Sequence, residues 1–289
     1  MRIERHEGKI EITGISDFDL AKTFQCGQCF RWNADEKGVY TGVAFGRVAK
    51  MYHSDSSVFI SGSVEDFESV WRGYFDFDRD YAKIRQLLCI DDFMLRATTF
   101  GEGIRLLRQD KWEALCSFIF SQNNNIPRIK KIIDTLCREF GDIIDFEGVS
   151  YFTFPSADKL SSLDAESLAP LRCGYRAEYI IEAAKMVADG AIDLDALSRG
   201  TIDAARTALK RLHGVGDKVA DCVMLFGLHM PDAFPLDVWM KRAVLQHYGP
   251  KFDPTVFSPY AGIAQQYIFN YMKHGDVCSD SGFSIIAPM

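Results

Sequence analysis

The chain has 289 residues, 47% of them hydrophobic, with a formal net charge of −7 and a sequence pI of about 5.4. That length exceeds one average domain, and two domains are the expectation. The acidic balance excludes a broadly basic nucleic-acid coat, so any contact with a nucleic acid would have to come from a local positive footprint, and no apolar run approaches membrane-spanning length.

The first third carries short β-rich stretches separated by Gly, Ser and Asp turns: Ile10, Ile12 and Ile15, then Val39 to Phe45, Val48 to Tyr52 and Val58 to Ile60. Their alternation predicts an antiparallel sheet, with Phe18 to Thr23 and Val64 to Tyr74 as short helices packed on it. The acidic stretch Asp76 to Asp80 is read as a hinge. Beyond it the apolar spacing is helical, in segments at Lys111 to Phe120, Ile126 to Phe140, Ala157 to Leu163, Asp164 to Leu171 and Arg176 to Asp189. Further helical segments follow at Asp193 to Arg199, Thr201 to Leu212, Asp217 to Leu228, Val238 to Gln246 and Pro259 to Met272. The fold class predicted is α+β: an N-terminal antiparallel β domain over residues 1–95, then an all-helical region over 96–289. No tandem repeat, low-complexity segment or oligomer signal appears, and a monomer is expected.

Eight cysteines are scattered along the chain, and no basic and apolar leader opens it, so a reduced cytosolic protein is expected. Cys26-Gly27-Gln28-Cys29 is a lone CxxC pair. Neither a second pair nor a histidine cluster completes a zinc site.

Residues 210 to 237 hold the densest chemistry. Leu212-His213-Gly214-Val215-Gly216 has two glycines one residue apart, which allow positive φ and close backbone approach. A helix beginning near Asp217 then presents unpartnered amides that can receive a phosphate, although the same hairpin also serves as a plain connector. Lys218 falls in the first turn, where the helix dipole disfavours a cation and favours the free amine. It can attack an electrophilic carbon to form a Schiff base, or contact phosphate as an ordinary ammonium. Asp237 follows a short loop and precedes a helix, which makes it an N-cap as well as a candidate catalytic carboxylate.

Three further groups stand out. The run Ser121 to Arg128 contains Asn123, Asn124 and Asn125, donors and acceptors suited to a turn or to a ligand. Cys173-Gly174-Tyr175-Arg176-Ala177 opens a helix with an aromatic and a cation. Cys222 lies four residues after Lys218, and Phe269 four after Gln265, so each pair shares a helix face.

These blocks together resemble the 8-oxoguanine DNA glycosylase family, within the superfamily of base-excision glycosylases marked by a helix-hairpin-helix motif and a Gly/Pro-rich loop ending in aspartate. The resemblance runs from about Phe18 to His274 and puts the helix-hairpin-helix at about 204–228. It implies a bifunctional DNA glycosylase/AP lyase that flips 8-oxoguanine out of its pair with cytosine. Lys218 would attack C1′, Asp237 would assist departure of the base, and β-elimination would then nick the strand. It makes Cys222 and Phe269 the walls that sandwich the purine, Gln265 the reader of its Watson–Crick edge, and the carbonyl of Gly27 the acceptor for the N7 hydrogen that guanine lacks. Asn123, Arg128 and Arg176 would contact the orphaned cytosine, with Tyr175 as the wedge filling the gap. Gly214, Val215 and Gly216 would meet the DNA backbone. So would Trp239, which stands where animal members of the family carry histidine and can still donate through its indole.

The implied partner is double-stranded DNA containing an oxidised guanine, with no membrane. No redox cofactor or catalytic metal is required. Some related glycosylases carry an iron–sulfur cluster on four closely spaced cysteines near the C-terminus, but Cys278 stands alone there and no cluster is expected. A structural cation on the hairpin carbonyls of Leu212 and Val215 stays open. The compartment expected is a prokaryotic cytoplasm, at the nucleoid, or the nucleus in a eukaryote. Three other readings also remain: a glycosylase for another damaged purine, a monofunctional enzyme using water, and a non-catalytic helix-hairpin-helix DNA-binding protein.

Overall fold

In a computed structural model, which describes residues 1–275, the alternation at Ile10 and Ile12 places both side chains in the core of a six-stranded antiparallel sheet. The strands are β1 (Arg2–His6), β2 (Lys9–Thr13), β3 (Trp32–Ala34), β4 (Tyr40–Ala44), β5 (Arg47–Ser54) and β6 (Ser57–Ser61). Their order is β1-β2-β6-β5-β4-β3, with Ile10 opposite Ile60 and Val43 opposite Val48. β1 was not predicted because its residues are almost all exposed and show no apolar alternation. β3 is only three residues long. The helical run over Val64–Tyr74 is continuous, with a π-helical segment at Phe67–Trp71 that buries both of those rings against the sheet core.

The stretch Asp76 to Asp80 is not a hinge. Asp76 is buried, its Oδ2 accepts from the Tyr81 hydroxyl at 3.0 Å and its carbonyl accepts from Arg105 at 2.9 Å. Phe77 packs edge-on against Phe18. Charge alone suggested a solvated linker; Asp78 and Asp80 are exposed, but the buried Asp76 and Phe77 anchor the stretch.

The second region is helical except for a hairpin, β7 (Ile143–Phe146) and β8 (Val149–Phe152). Its turn is Glu147-Gly148, both at positive φ, as a two-residue hairpin loop requires. The prediction of an all-helical region is corrected at this point, where four-residue strands were too short to register. Seven aspartates (Asp19, Asp80, Asp91, Asp110, Asp193, Asp237 and Asp253) cap helices by accepting a first-turn amide. Part of the negative charge therefore sits on helix N-termini, where the dipole favours it, rather than on one acidic face.

The two regions interlock. Cys26 and Phe30 from the sheet region belong to the helical core, and Leu107 returns to the sheet core. Arg105, also buried, donates to the carbonyls of Ser16, Asp17, Asp76 and Arg79. A buried guanidinium satisfied this way fixes the register of the segments that meet at the site.

Candidate active site

Six residues singled out in the sequence, Gly27, Lys218, Cys222, Asp237, Gln265 and Phe269, line one cavity, together with Cys26, Phe118, Phe226, Pro235 and Gln266. They come from four separate segments. The helix Asp217–Phe226 supplies Lys218, Cys222 and Phe226 at four-residue intervals, and the helix Ala261–His274 supplies Gln265, Gln266 and Phe269. The volume is about 60 Å³, far below that of a cavity which holds a drug-sized ligand, so a purine enters only if the walls part. A larger cavity of about 550 Å³ lies between β3–β4 and the helix Ile126–Phe140, but no predicted site residue lines it.

Lys218 is half-buried. Its Nζ lies 3.5 Å from the Ser121 hydroxyl and 5.7 Å from the centre of the Phe118 ring, and it forms no ion pair among the described residues. Asp237 caps the helix Val238–His247 through Oδ1, which accepts from the Met240 amide at 2.8 Å. Its Oδ2 has no hydrogen bond among the described residues and is free for a ligand. Burial pushes the Cys222 thiol up to about 11, so Cys222 lines the cavity as a neutral, polarisable thiol.

Gly27 has φ of +85°, and a Cβ there would lie 3.6 Å from the Phe269 ring. Its neighbour Gln28 is fully buried and holds the segment in place. Gln28 donates to the carbonyls of Thr23 and Arg105 at 2.9 and 2.7 Å and accepts from the Leu107 amide at 2.8 Å. The Gln28 carbonyl accepts from Gln109 at 2.7 Å, and the Gln109 carbonyl in turn meets His229 Nε2 at 3.0 Å. Cys26 and Cys29 are buried free thiols; burial raises Cys26 to about 12 and Cys29 well above its ordinary value. Cys26 packs in the helical core and Cys29 in the sheet core.

A second surface gathers the other predicted residues. Asn123, at φ +44°, and Arg128 are exposed, and Asn125 caps the helix Ile126–Phe140. Tyr175 is 48% exposed and meets Tyr179 edge-on, with ring centres 5.4 Å apart. Arg128 donates to the Arg172 carbonyl at 3.0 Å, which ties the asparagine loop to the turn before Tyr175. Arg176 was expected beside Arg128 on the base. It is instead 3% exposed and donates to the carbonyls of Gln122, Asn123 and Cys173, beneath the loop. In this arrangement it supports the reading surface from below.

The hairpin sits beside that surface. Gly214 has φ of +79°, and any Cβ would strike the Tyr179 ring at 2.4 Å, so glycine is required there by both conformation and space. Gly216 is extended and in open space, and it starts the helix with no side-chain cap. The first-turn amides of Asp217–Phe226 are thus left for an external acceptor. The Leu212 carbonyl accepts from Val215 at 3.0 Å. Trp239 is part-exposed, with the Arg242 guanidinium 5.6 Å from its ring.

Sequence reasoning missed Phe118, Ser121, Phe226, Gln28 and Gln266. The four-residue step from Cys222 to Phe226 was a usable signal. No spacing rule marks Gln28, whose partners lie about 80 residues away. Cys278 lies outside the described residues.

Two family models match the chain: 8-oxoguanine DNA glycosylase, N-terminal domain, over residues 11–115, and HhH-GPD superfamily base excision DNA repair protein over residues 116–256. The N-glycosylase/DNA lyase of Saccharomyces cerevisiae is 34% identical over 83% of this chain and 71% of its own length. The chain belongs to the 8-oxoguanine DNA glycosylase family. Among solved structures, the Clostridium acetobutylicum 8-oxoguanine glycosylase/lyase, in complex with double-stranded DNA containing cytosine opposite 8-oxoguanine, superposes with a TM-score of 0.90 at 35% identity. That alignment covers 96% of this chain and 99% of the other. MBOgg1 in complex with a low-affinity DNA ligand gives the same TM-score at 43% identity, over 95% and 99%. No helix among the described residues is long and apolar enough to cross a membrane.

Proposed function

We infer that the protein is a bifunctional DNA glycosylase/AP lyase that removes 8-oxoguanine from its pair with cytosine in double-stranded DNA. The observation that carries the reading is the convergence, in a family member, of a lysine with no carboxylate partner among the described residues, a carboxylate with one oxygen bonded to the Met240 amide, and a glycine backbone on one small cavity. The flipped purine lies between the Cys222 thiol and the Phe269 ring, with the Gly27 carbonyl accepting from N7–H and Gln265 at the Watson–Crick edge. Lys218, as the free amine, forms a bond to C1′ while the bond from C1′ to N9 breaks and its electron pair leaves with the base. The Asp237 carboxylate stabilises the positive charge that develops on the sugar. Ring opening gives the Schiff base, and loss of a C2′ proton then expels the 3′ phosphate.

At the other surface, Tyr175 fills the gap left in the duplex and Asn123 and Arg128 read the orphaned cytosine, with Arg176 holding their loop. The hairpin from Gly214 to Gly216 and Trp239 contact the backbone of the DNA. These steps use only side chains and backbone, so we assign no cofactor. Among the described residues the one group with metal-ligand spacing is Glu4, His6 and Glu11, none of which lines the cavity. Among the described residues the seven cysteines are free and six of them buried, which fits a reducing compartment that holds DNA, and the prokaryotic cytoplasm is the one we assign.

Borohydride trapping on duplexes with one 8-oxoguanine opposite each of the four bases tests the reading. A covalent adduct with the wild type that is strongest opposite cytosine and absent with Lys218→Gln supports it. Base release without an adduct would mean a water nucleophile, and neither product would leave a DNA-binding hairpin protein.

A further inference from the structure

The larger cavity, of about 550 Å³, shares no lining residue with the base cavity. Asn33 and Thr41 lie opposite each other on β3 and β4, one step along from the buried Trp32, so they face away from the sheet core and into this space. The helix Ile126–Phe140 and strand β8 close it from the other side. The volume suits a ligand the size of a mononucleotide and is far too small for a duplex.

Four cations, Arg31, Lys130, Lys131 and Arg138, line the cavity against one carboxylate, Asp134. Arg31 is paired with Glu113 at 3.2 Å and Arg138 with Asp134 at 2.8 Å, whereas Lys130 and Lys131 have no carboxylate partner among the described residues. In a chain of net charge −7, two uncompensated cations on one wall make a local positive site. Lys130 is half-buried, and its Nζ donates to the Trp32 carbonyl at 2.6 Å and to Asn33 Oδ1 at 3.1 Å. Both acceptors are neutral, and an ammonium has three donors, so one N–H is left for a ligand. Burial lowers the Lys130 pKa, as it does for a cation short of opposing charge. An anion in the cavity offsets that cost.

The same wall offers flat apolar surface. Tyr151 and Phe152 on β8 are part-exposed, and the Arg138 guanidinium lies 5.5 Å from the centre of the Phe152 ring. Aromatic faces beside a cation suit a base joined to a phosphate.

We propose that this cavity is a second, non-catalytic site for a mononucleotide-sized phosphate anion, with Lys130 and Lys131 on the phosphate and the rings of β8 against the base. Its occupant ties the sheet region to the helix Ile126–Phe140.

The test is isothermal titration calorimetry of the full chain with adenosine monophosphate, beside adenosine and inorganic phosphate. The expected result is saturable one-to-one binding of the nucleotide with a Kd below about 1 mM, tighter than either comparator. Lys130→Met keeps the apolar stem, removes the charge and should weaken that binding about 10- to 100-fold. Lys218→Gln should bind the nucleotide as the wild type does; a loss there would put the ligand in the base cavity and overturn the proposal. So would the absence of saturable binding, binding no tighter than that of adenosine or of phosphate, or a Kd unchanged by Lys130→Met. Should Lys130→Met fold poorly, Tyr151→Ala decides: loss of one stacking ring should weaken the nucleotide about 5-fold or more, and an unchanged Kd overturns the proposal. Binding requires no turnover, so the outcome is independent of whether the protein excises 8-oxoguanine.

Discussion

The base cavity and the surface around Tyr175 treat the same duplex in opposite ways. The cavity is small, about 60 Å³, and three of its walls, Cys222, Gln265 and Gln266, are buried. The second surface is open, with Asn123, Arg128 and Tyr175 exposed and their loop clamped from beneath by Arg176. A closed site discriminates by what it refuses to desolvate, because each unpaired polar group inside it keeps its full penalty. An open surface adds contacts as the duplex arrives and discriminates by fit. On the function proposed above, the lesion is judged by exclusion and its partner strand by complementarity.

The sharpest way to break this comparison is at the closed site. Lys218→Gln should abolish borohydride trapping and lower base release by a factor on the order of 10³ or more. Its effect should be the same opposite all four bases, because the lysine does not touch the open face. Release that stays fast, or a loss that depends on the opposite base, would mean that the two halves are not separable in this way.

Arg128→Ala is the matching change on the open side. A forked contact to a base edge is worth about 1 to 3 kcal/mol of discrimination, so the preference for cytosine should fall about 5- to 150-fold. Excision opposite the other bases should hardly change. Single-turnover rates opposite each base measure it, and a uniform loss would recast Arg128 as a phosphate contact.

Legibility in the sequence follows the same division. Lys218 stood out because it follows the conspicuous Gly214 and Gly216 hairpin in the first turn of a helix, and the four-residue steps to Cys222 and from Gln265 to Phe269 showed only that each pair shares a helix face. The resemblance gave these residues roles that spacing alone left open. The supports were not legible. Gln28 and Arg176 act through carbonyls far along the chain, and a carbonyl has no side-chain signature. Of the fold, long periodic helices such as Lys111–Phe120 and Ile126–Phe140 were read to the residue, while the β7–β8 hairpin was missed because its four-residue strands carry too little pattern.

A smaller effect sharpens the role of the backbone at the cavity. Gly27→Ala forces a side chain into a left-handed conformation, at a cost of about 1 to 2 kcal/mol, and brings Cβ within van der Waals distance of Phe269. Excision of 8-oxoguanine should fall about 5- to 30-fold, with binding to undamaged duplex unaffected. A parallel loss of plain-duplex binding would place Gly27 on the DNA surface rather than in the cavity.

The smallest expected effect is a pH dependence confined to the closed half. His229 anchors the chain His229, Gln109, Gln28 that ends beside Gly27, and burial lowers its pKa from 6.5 to about 4. The unfolded chain therefore binds a proton below about pH 6.5 that the folded chain refuses until about pH 4. Stability falls as pH drops through that window and is fully retained above it. Between about pH 7.5 and 5.5 the loss should be about 1.4 kcal/mol, since one unit of proton uptake by the unfolded state is worth 1.36 kcal/mol. Glu113 and Asp221, both raised by burial, act in the opposite direction, and His247 and His274, both lowered by burial, act in the same one, so the contribution of His229 has to be isolated by difference. His229 has φ of +58°, and His229→Asn removes the titration with a residue that tolerates that backbone. Urea unfolding of wild type and variant at the two pH values measures the difference, and the wild type should lose about 1.4 kcal/mol more than the variant on going to the lower pH. Equal slopes would show that the imidazole is solvated, and that the wall behind Gly27 is as open to water as the surface around Tyr175.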